Sequence, residues 1–104
     1  MSDVVVELLV VPDCPNEGPA RALLRAAAGI AGLGDLPVRV SVIDSPEEAQ
    51  RRGFAGSPTF LIDGVDPFAV PGAPIGLTCR VYPTDHGLSG VPEVSSLRDA
   101  LIRA

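Results

Sequence analysis

Lysine and tryptophan are absent from this chain, cysteine occurs twice, and histidine and tyrosine occur once each. Each shortage excludes something. With three Phe and one Tyr as the aromatic total, the core must be built mostly from Val, Leu, Ile and Ala. Eight arginines carry all the positive charge against thirteen acids, for a net charge of -5, and the one basic pair is Arg51-Arg52. A chain with so little clustered positive charge is not expected to bind nucleic acid or an anionic membrane. Two cysteines, Cys14 and Cys79, are too few for a disulfide framework. In a reducing compartment they are expected to be free, catalytic or metal-binding. Long apolar runs are also missing. Val4 to Val11 is the longest, Glu7 interrupts it, and it is far too short to cross a bilayer. It lacks the basic leader and small-residue cleavage site of a signal peptide, so a cytoplasmic location is the default expectation.

The 104 residues suffice for one domain and not for two, so residues 1–104 read as a single unit. A chain of this length buries roughly two-thirds of its unfolded surface and needs no metal or disulfide to fold. Hydrophobic residues make up 46% and charged residues 20%, which excludes a disordered chain.

Asp3 to Val11 (DVVVELLVV) is β-rich and apolar on both faces, as in a strand covered on both sides. Pro12 to Asn16 breaks it. From Glu17 to about Leu33 the apolar residues Ala20, Leu23, Leu24, Ala27 and Ala31 recur at helical spacing. Pro19 fits the first turn, and Gly32 and Gly34 supply the stop. Val38 to Ile43 alternates as a second strand. Ser45-Pro46-Glu47-Glu48 predicts a helix start, with Ser45 as N-cap and Glu48 as its capping-box partner. That helix ends near Arg52-Gly53. Pro58 to Asp63 is a third strand, closed by Gly64. Val65 to Gly76 holds three Pro and two Gly and reads as a long loop, a candidate lid or interface. Leu77 to Tyr82 (LTCRVY) is read as a fourth strand. A second Gly/Pro loop runs to Pro92, and Val94, Leu97, Ala100 and Leu101 mark a closing helix. The order is β-α-β-α-β-β-α, an α/β pattern. Strands joined by a helix are expected to be parallel, and the last pair to form an antiparallel hairpin.

Cys14 lies at the junction of the first strand and the first helix. The N–H groups and dipole of a helix N-terminus favour an anion, which turns a thiol there toward its reactive thiolate form. Asp13 and Glu17 bring negative charge beside it and oppose that effect. The second marker is Ser57-Pro58-Thr59 at the head of the third strand, where a proline can spare its missing N–H.

Taken together, the element order, Cys14-Pro15 after the first strand and Ser57-Pro58-Thr59 opening the third resemble the thioredoxin fold in its short, glutaredoxin-sized form. The resemblance spans nearly the whole chain. It implies a four-stranded mixed sheet of order 2-1-3-4 with helices on both faces, the first and third sharing one. It also implies a cis Pro58 beside Cys14, with Pro15, Ser57, Pro58 and Thr59 positioning a thiol or disulfide substrate, either glutathione or a protein. No cofactor is implied. One departure stands out. Where that family carries Cys-x-x-Cys, this chain reads Cys14-Pro15-Asn16-Glu17, so the nearby resolving thiol is absent. The expected activity is therefore a monothiol disulfide oxidoreductase, its mixed disulfide cleared by an external thiol or by Cys79.

A narrower pattern is similar to the thioredoxin-like core of organomercurial (alkylmercury) lyases: a Cys, an acidic residue three positions on, and a distant second Cys. Cys14, Glu17 and Cys79 stand in that relation, with Glu where that family has Asp. The resemblance implies soft-metal binding by Cys14 and Cys79, with Glu17 relaying a proton. A third reading is a redox-silent interaction module that uses the loop from Val65 to Gly76. An edge-lying fourth strand would leave room for a homodimer. Arg80 reads as pairing with a surface Asp, His86 as solvated, and Cys79 as a small core residue.

Overall fold

A computed structural model describes residues 4–104, so Asp3, at the head of the expected first strand, lies outside the described residues. The chain forms strand β1 (Val6–Val10), helix α1 (Glu17–Ile30), strand β2 (Val38–Val42), helix α2 (Pro46–Arg52), strand β3 (Thr59–Ile62), strand β4 (Tyr82–Thr84), strand β5 (Gly87–Ser89) and helix α3 (Val94–Arg103). Among these residues no helix is long and apolar enough to cross a membrane.

The strands do not make the expected four-stranded sheet. β2, β1 and β3 form a mixed three-stranded sheet in that order, and β4 and β5 form a separate two-stranded one. β1 pairs with β2 in parallel, Val6 facing Val38 through Val10 facing Val42, and with β3 antiparallel, Leu9 facing Thr59 through Val6 facing Ile62. The crossover rule therefore holds for β1 and β2 but fails for β3. The seven residues of α2 advance about 10 Å, well short of the ~17 Å that five strand residues span. The helix does not carry the chain back to the foot of the sheet, and β3 sets out from the end where β2 finished.

Of the expected fourth strand, Leu77 to Tyr82, only Tyr82 enters a ladder, that of the separate two-stranded sheet. The segment's backbone pairing beside the main sheet is one isolated parallel bridge between Ser57 and Cys79. Two features stop it from propagating. Pro58 has no N–H to give to a neighbour. At the far end of β3, the Asp63-Gly64 turn, with both residues at positive φ, folds Val65 back onto Ile62 and takes that edge. The long loop of residues 65–76 returns the chain to the head of β3, so the later segment meets it in parallel, not as the expected hairpin. The hairpin forms later instead. Tyr82, the last residue of the expected strand, faces Ser89, and Thr84 faces Gly87 inside the stretch read as a second loop.

The helices follow their sequence signals closely. Ser45 caps α2 by accepting the Glu48 N–H at 3.1 Å, and Gly53 closes it in the left-handed conformation. α1 stops at Ile30, earlier than its apolar spacing suggests, because Gly32 turns left-handed and Leu33 N–H reaches back to the Ala28 carbonyl. Two cores result. α1 and α3 share one face of the sheet, with Ala20, Leu24, Ala27, Leu97 and Leu101 against Val6, Leu8, Val10 and Phe60. α2 lies on the other, with Ala49 and the following Phe54 against Leu9 and Ile43. Phe68 from the Pro-rich loop joins the larger core, its ring edge-on to Phe60 and Tyr82 at 6.2 and 5.5 Å.

Candidate functional site

Pro12 ends β1, and Asp13 takes a left-handed turn with φ 57°, which only a few residue types accept readily. The turn delivers Cys14 to the end of the sheet, half-buried against the larger core. Cys14 lies two residues before Asn16, the N-cap of α1. The helix start engages its carbonyl, which accepts the Glu17 N–H at 3.2 Å. Asn16 makes no capping hydrogen bond with its side chain. That side chain packs against Gly90, where an added Cβ would fall 2.4 Å from Asn16 Nδ2.

The closest polar neighbour of the thiol is Ser57. Its hydroxyl donates to Cys14 Sγ at 2.9 Å and accepts the Val11 N–H at 3.0 Å. A backbone N–H can only donate, so the serine oxygen accepts from Val11 and its own proton is free for the sulfur. Ser57 is 1% exposed, so this hydroxyl has no water to fall back on.

The Ser57–Pro58 peptide is cis. Ser57, Pro58 and Thr59 are all buried. Ser57 spends both backbone groups within the chain: its N–H donates to the Thr78 carbonyl at 2.8 Å, and its carbonyl accepts the Arg80 N–H at 2.9 Å. Thr59 lies in the β1 ladder, and its hydroxyl donates to the Gly56 carbonyl at 2.6 Å. The platform expected to meet a substrate is thus turned inward, toward Cys14, Thr78 and Arg80. Pro15 is exposed beside Cys14.

The Glu17 carboxylate pairs with Arg21, one helical turn on, at 3.4 Å. Cys79 is exposed, not a core residue, and faces Ser57 across the isolated bridge. Among the described residues no group of three or more His, Cys, Asp or Glu side chains is placed to hold a metal ion.

Arg80 differs most from its sequence reading. Its side chain is 9% exposed and binds both carboxylate oxygens of Asp66, the nearer at 2.7 Å, the Phe68 carbonyl at 2.7 Å and the Thr59 hydroxyl at 3.1 Å. It also lies over the Tyr82 ring, 4.8 Å from the centroid. The Tyr82 hydroxyl in turn donates to the Pro58 carbonyl. Burial pushes the Tyr82 phenol far above its usual range, Arg80 opposing and Asp66 adding to the effect. Gly56 is required beside this cluster. Its φ is 118°, and an added Cβ would lie 2.9 Å from the Arg80 Cβ. A lone charge in an otherwise apolar β-rich stretch, with an Asp-Pro-Phe upstream, is the signal that could have marked Arg80 as an internal clamp.

Fold and site together define a small α/β protein with one half-buried thiol hydrogen-bonded to a buried serine. A scan of protein-family models finds no match, and searches of curated proteins and of solved structures find none either.

Proposed function

We propose that this chain is a thiol protein whose working group is Cys14, acting as the nucleophile in exchange with a disulfide. The observation that carries the reading is the Ser57 hydroxyl aimed at Cys14 Sγ at 2.9 Å while Val11 fixes its other side. A donor held in place by the backbone stabilises negative charge on an attacking sulfur and keeps the sulfur at one position. The turn leaves Cys14 half-exposed, so a small or unfolded partner can reach it. With Glu17 at the position three residues on, a single thiol makes the first attack. Soft-metal chemistry has less support, because Glu17 is paired with Arg21.

Alkylation by iodoacetamide tests the reading. Accessibility alone makes the exposed Cys79 the faster thiol. If Cys14 is the working group, Cys14 in a Cys79→Ala chain outpaces Cys79 in a Cys14→Ala chain. Adding Ser57→Ala to the Cys79→Ala chain then slows Cys14 by roughly tenfold, the equivalent of one net hydrogen bond of ~1–1.5 kcal/mol. A Cys14 that reacts more slowly than Cys79 and ignores Ser57→Ala, in chains shown to be folded by circular dichroism, sinks the proposal.

A further inference from the structure

The three-stranded sheet has two edges, and only one is closed. Beside β3 the edge is taken up by the Ser57–Cys79 bridge, by Pro58 and by Val65 folded back onto Ile62. The other edge is β2, which pairs on one side only. The Ile43 N–H donates to the Val10 carbonyl at 2.7 Å, so the backbone of Ile43 faces β1. With the strand's period of two, Ser41 and Arg39 face β1 as well. Val38, Val40 and Val42 therefore turn their N–H and C=O groups outward, where they meet no hydrogen-bond partner among the described residues. Protected edges carry lysine, proline, a bulge or a covering loop. β2 contains no lysine and no proline, and its ladder with β1 runs unbroken from Val38 to Val42. Its one charge, Arg39, lies opposite Glu7 in that ladder.

We infer that β2 is the pairing edge of a symmetric dimer, joined antiparallel to β2 of a second copy about a two-fold axis at Val40. Any extended chain can take up the outward backbone groups, but the side chains of Val-Arg-Val-Ser-Val select the strand itself. In this register Val38 faces the partner's Val42, and Val40 faces the partner's Val40. Arg39 faces the partner's Ser41. Within each copy the Ser41 hydroxyl donates to the Glu7 carboxylate at 2.6 Å. The Arg39 guanidinium of one copy thus comes up against the Ser41–Glu7 pair of the other, since facing residues stand about 4.5–5.5 Å apart at Cβ. The two-fold axis makes this pairing twice. Sliding the strands by two residues loses it. One direction sets the two Arg39 side chains opposite each other, and like charges so placed repel. The other sets Val38 against the partner's Asp44. In the favoured register two three-stranded sheets become one continuous sheet, and Val42, 54% exposed in the single chain, gains a neighbour.

The test is sedimentation velocity of the full chain from low micromolar to millimolar concentration, with reductant present so that no disulfide joins copies. The mass is expected to rise from one chain to two. Amide hydrogen exchange reads the register. The Val38, Val40 and Val42 N–H groups should exchange freely when dilute and become protected when concentrated, while those of Arg39 and Ser41, bonded to β1, are protected in both. Val42→Lys places an edge lysine on an exposed side chain and should abolish the dimer while circular dichroism shows the fold unchanged. Arg39→Glu sets like charge against Glu7 in both symmetry-related pairs and should weaken the dimer roughly tenfold. A chain that stays monomeric throughout overturns the inference, as does a dimer whose three valine amides remain unprotected. Protection of those amides in a monomeric chain on adding an unrelated extended peptide, a Thr-Val repeat, assigns the edge to peptide capture and overturns self-pairing too.

Discussion

The chain has two conspicuous irregular regions, and their anchoring runs against their length. The turn from Pro12 to Asn16 is short and carries the thiol, and one serine hydroxyl is the side-chain link between Cys14 and the rest of the structure. The segment from Val65 to Val81 is several times longer, yet Arg80 ties it down through Asp66, Phe68 and Thr59, and Phe68 sinks its ring into the core. A long loop would ordinarily be the mobile part. Here backbone groups without a ladder are held by one buried guanidinium, and the group left partly open is the cysteine. Anchoring is assigned by side-chain chemistry, not by how many residues intervene.

The most severe way to break this contrast is Arg80→Ala. It strands the Asp66 carboxylate and frees the loop, and should cost about 3–5 kcal/mol, measured by urea denaturation. Arg80→Lys restores the charge but not the fork that spans Asp66 and Phe68, and should recover only part of the loss. Next comes Tyr82→Phe, which leaves the Pro58 carbonyl without its hydroxyl partner. A loss of about 1–3 kcal/mol is expected in the same assay.

A test on the other side of the comparison is Gly90→Ala. The new Cβ meets the Asn16 amide, a side chain that can swing away, so stability should fall by about 1 kcal/mol or less. The readout that matters is the Cys14 alkylation rate. It should change by more than the stability loss suggests, because Asn16 opens the helix that follows the thiol turn.

The smallest effect concerns acid. Burial tends to raise the Glu7 carboxyl, but hydrogen bonds from Ser41 and Arg52 and the charges of Arg52 and Arg39 outweigh it, and the folded value lies below the usual 4.5. A lowered folded value means that the stabilisation is present above the unfolded value and is lost as pH falls through the folded one. Glu7→Gln should therefore weaken the fold by about 0.5 kcal/mol near pH 7 and by less near pH 3, followed by urea midpoints at both.

What the sequence discloses depends on how local the cause is. α2 announces itself because Ser45, Pro46, Glu48 and Gly53 act within one short helix. Cys14 is legible as a junction residue for the same reason. The strand topology is less so. Leu77 to Tyr82 has every residue type that fits a pleated surface, but β-propensity says nothing about whether a neighbour's edge is open. The closed edge is the work of Pro58, Asp63 and Gly64, remote from the segment they exclude. Arg80 was hidden in the same way, since its meaning lies in Asp66 and Phe68. Ser57 was visible as a neighbour of Pro58, and its hydroxyl's link to Cys14 was not, because a serine's two bonds leave no periodic trace.

Those two bonds also make the site readable from outside. Ser57 joins the sulfur of Cys14 to the amide of Val11 through a single oxygen. Any change at the sulfur alters how strongly that oxygen accepts, and the Val11 amide proton registers it. Its nuclear magnetic resonance position becomes a gauge of the state of the thiol that needs no label, no dye and no contact with the reacting atom.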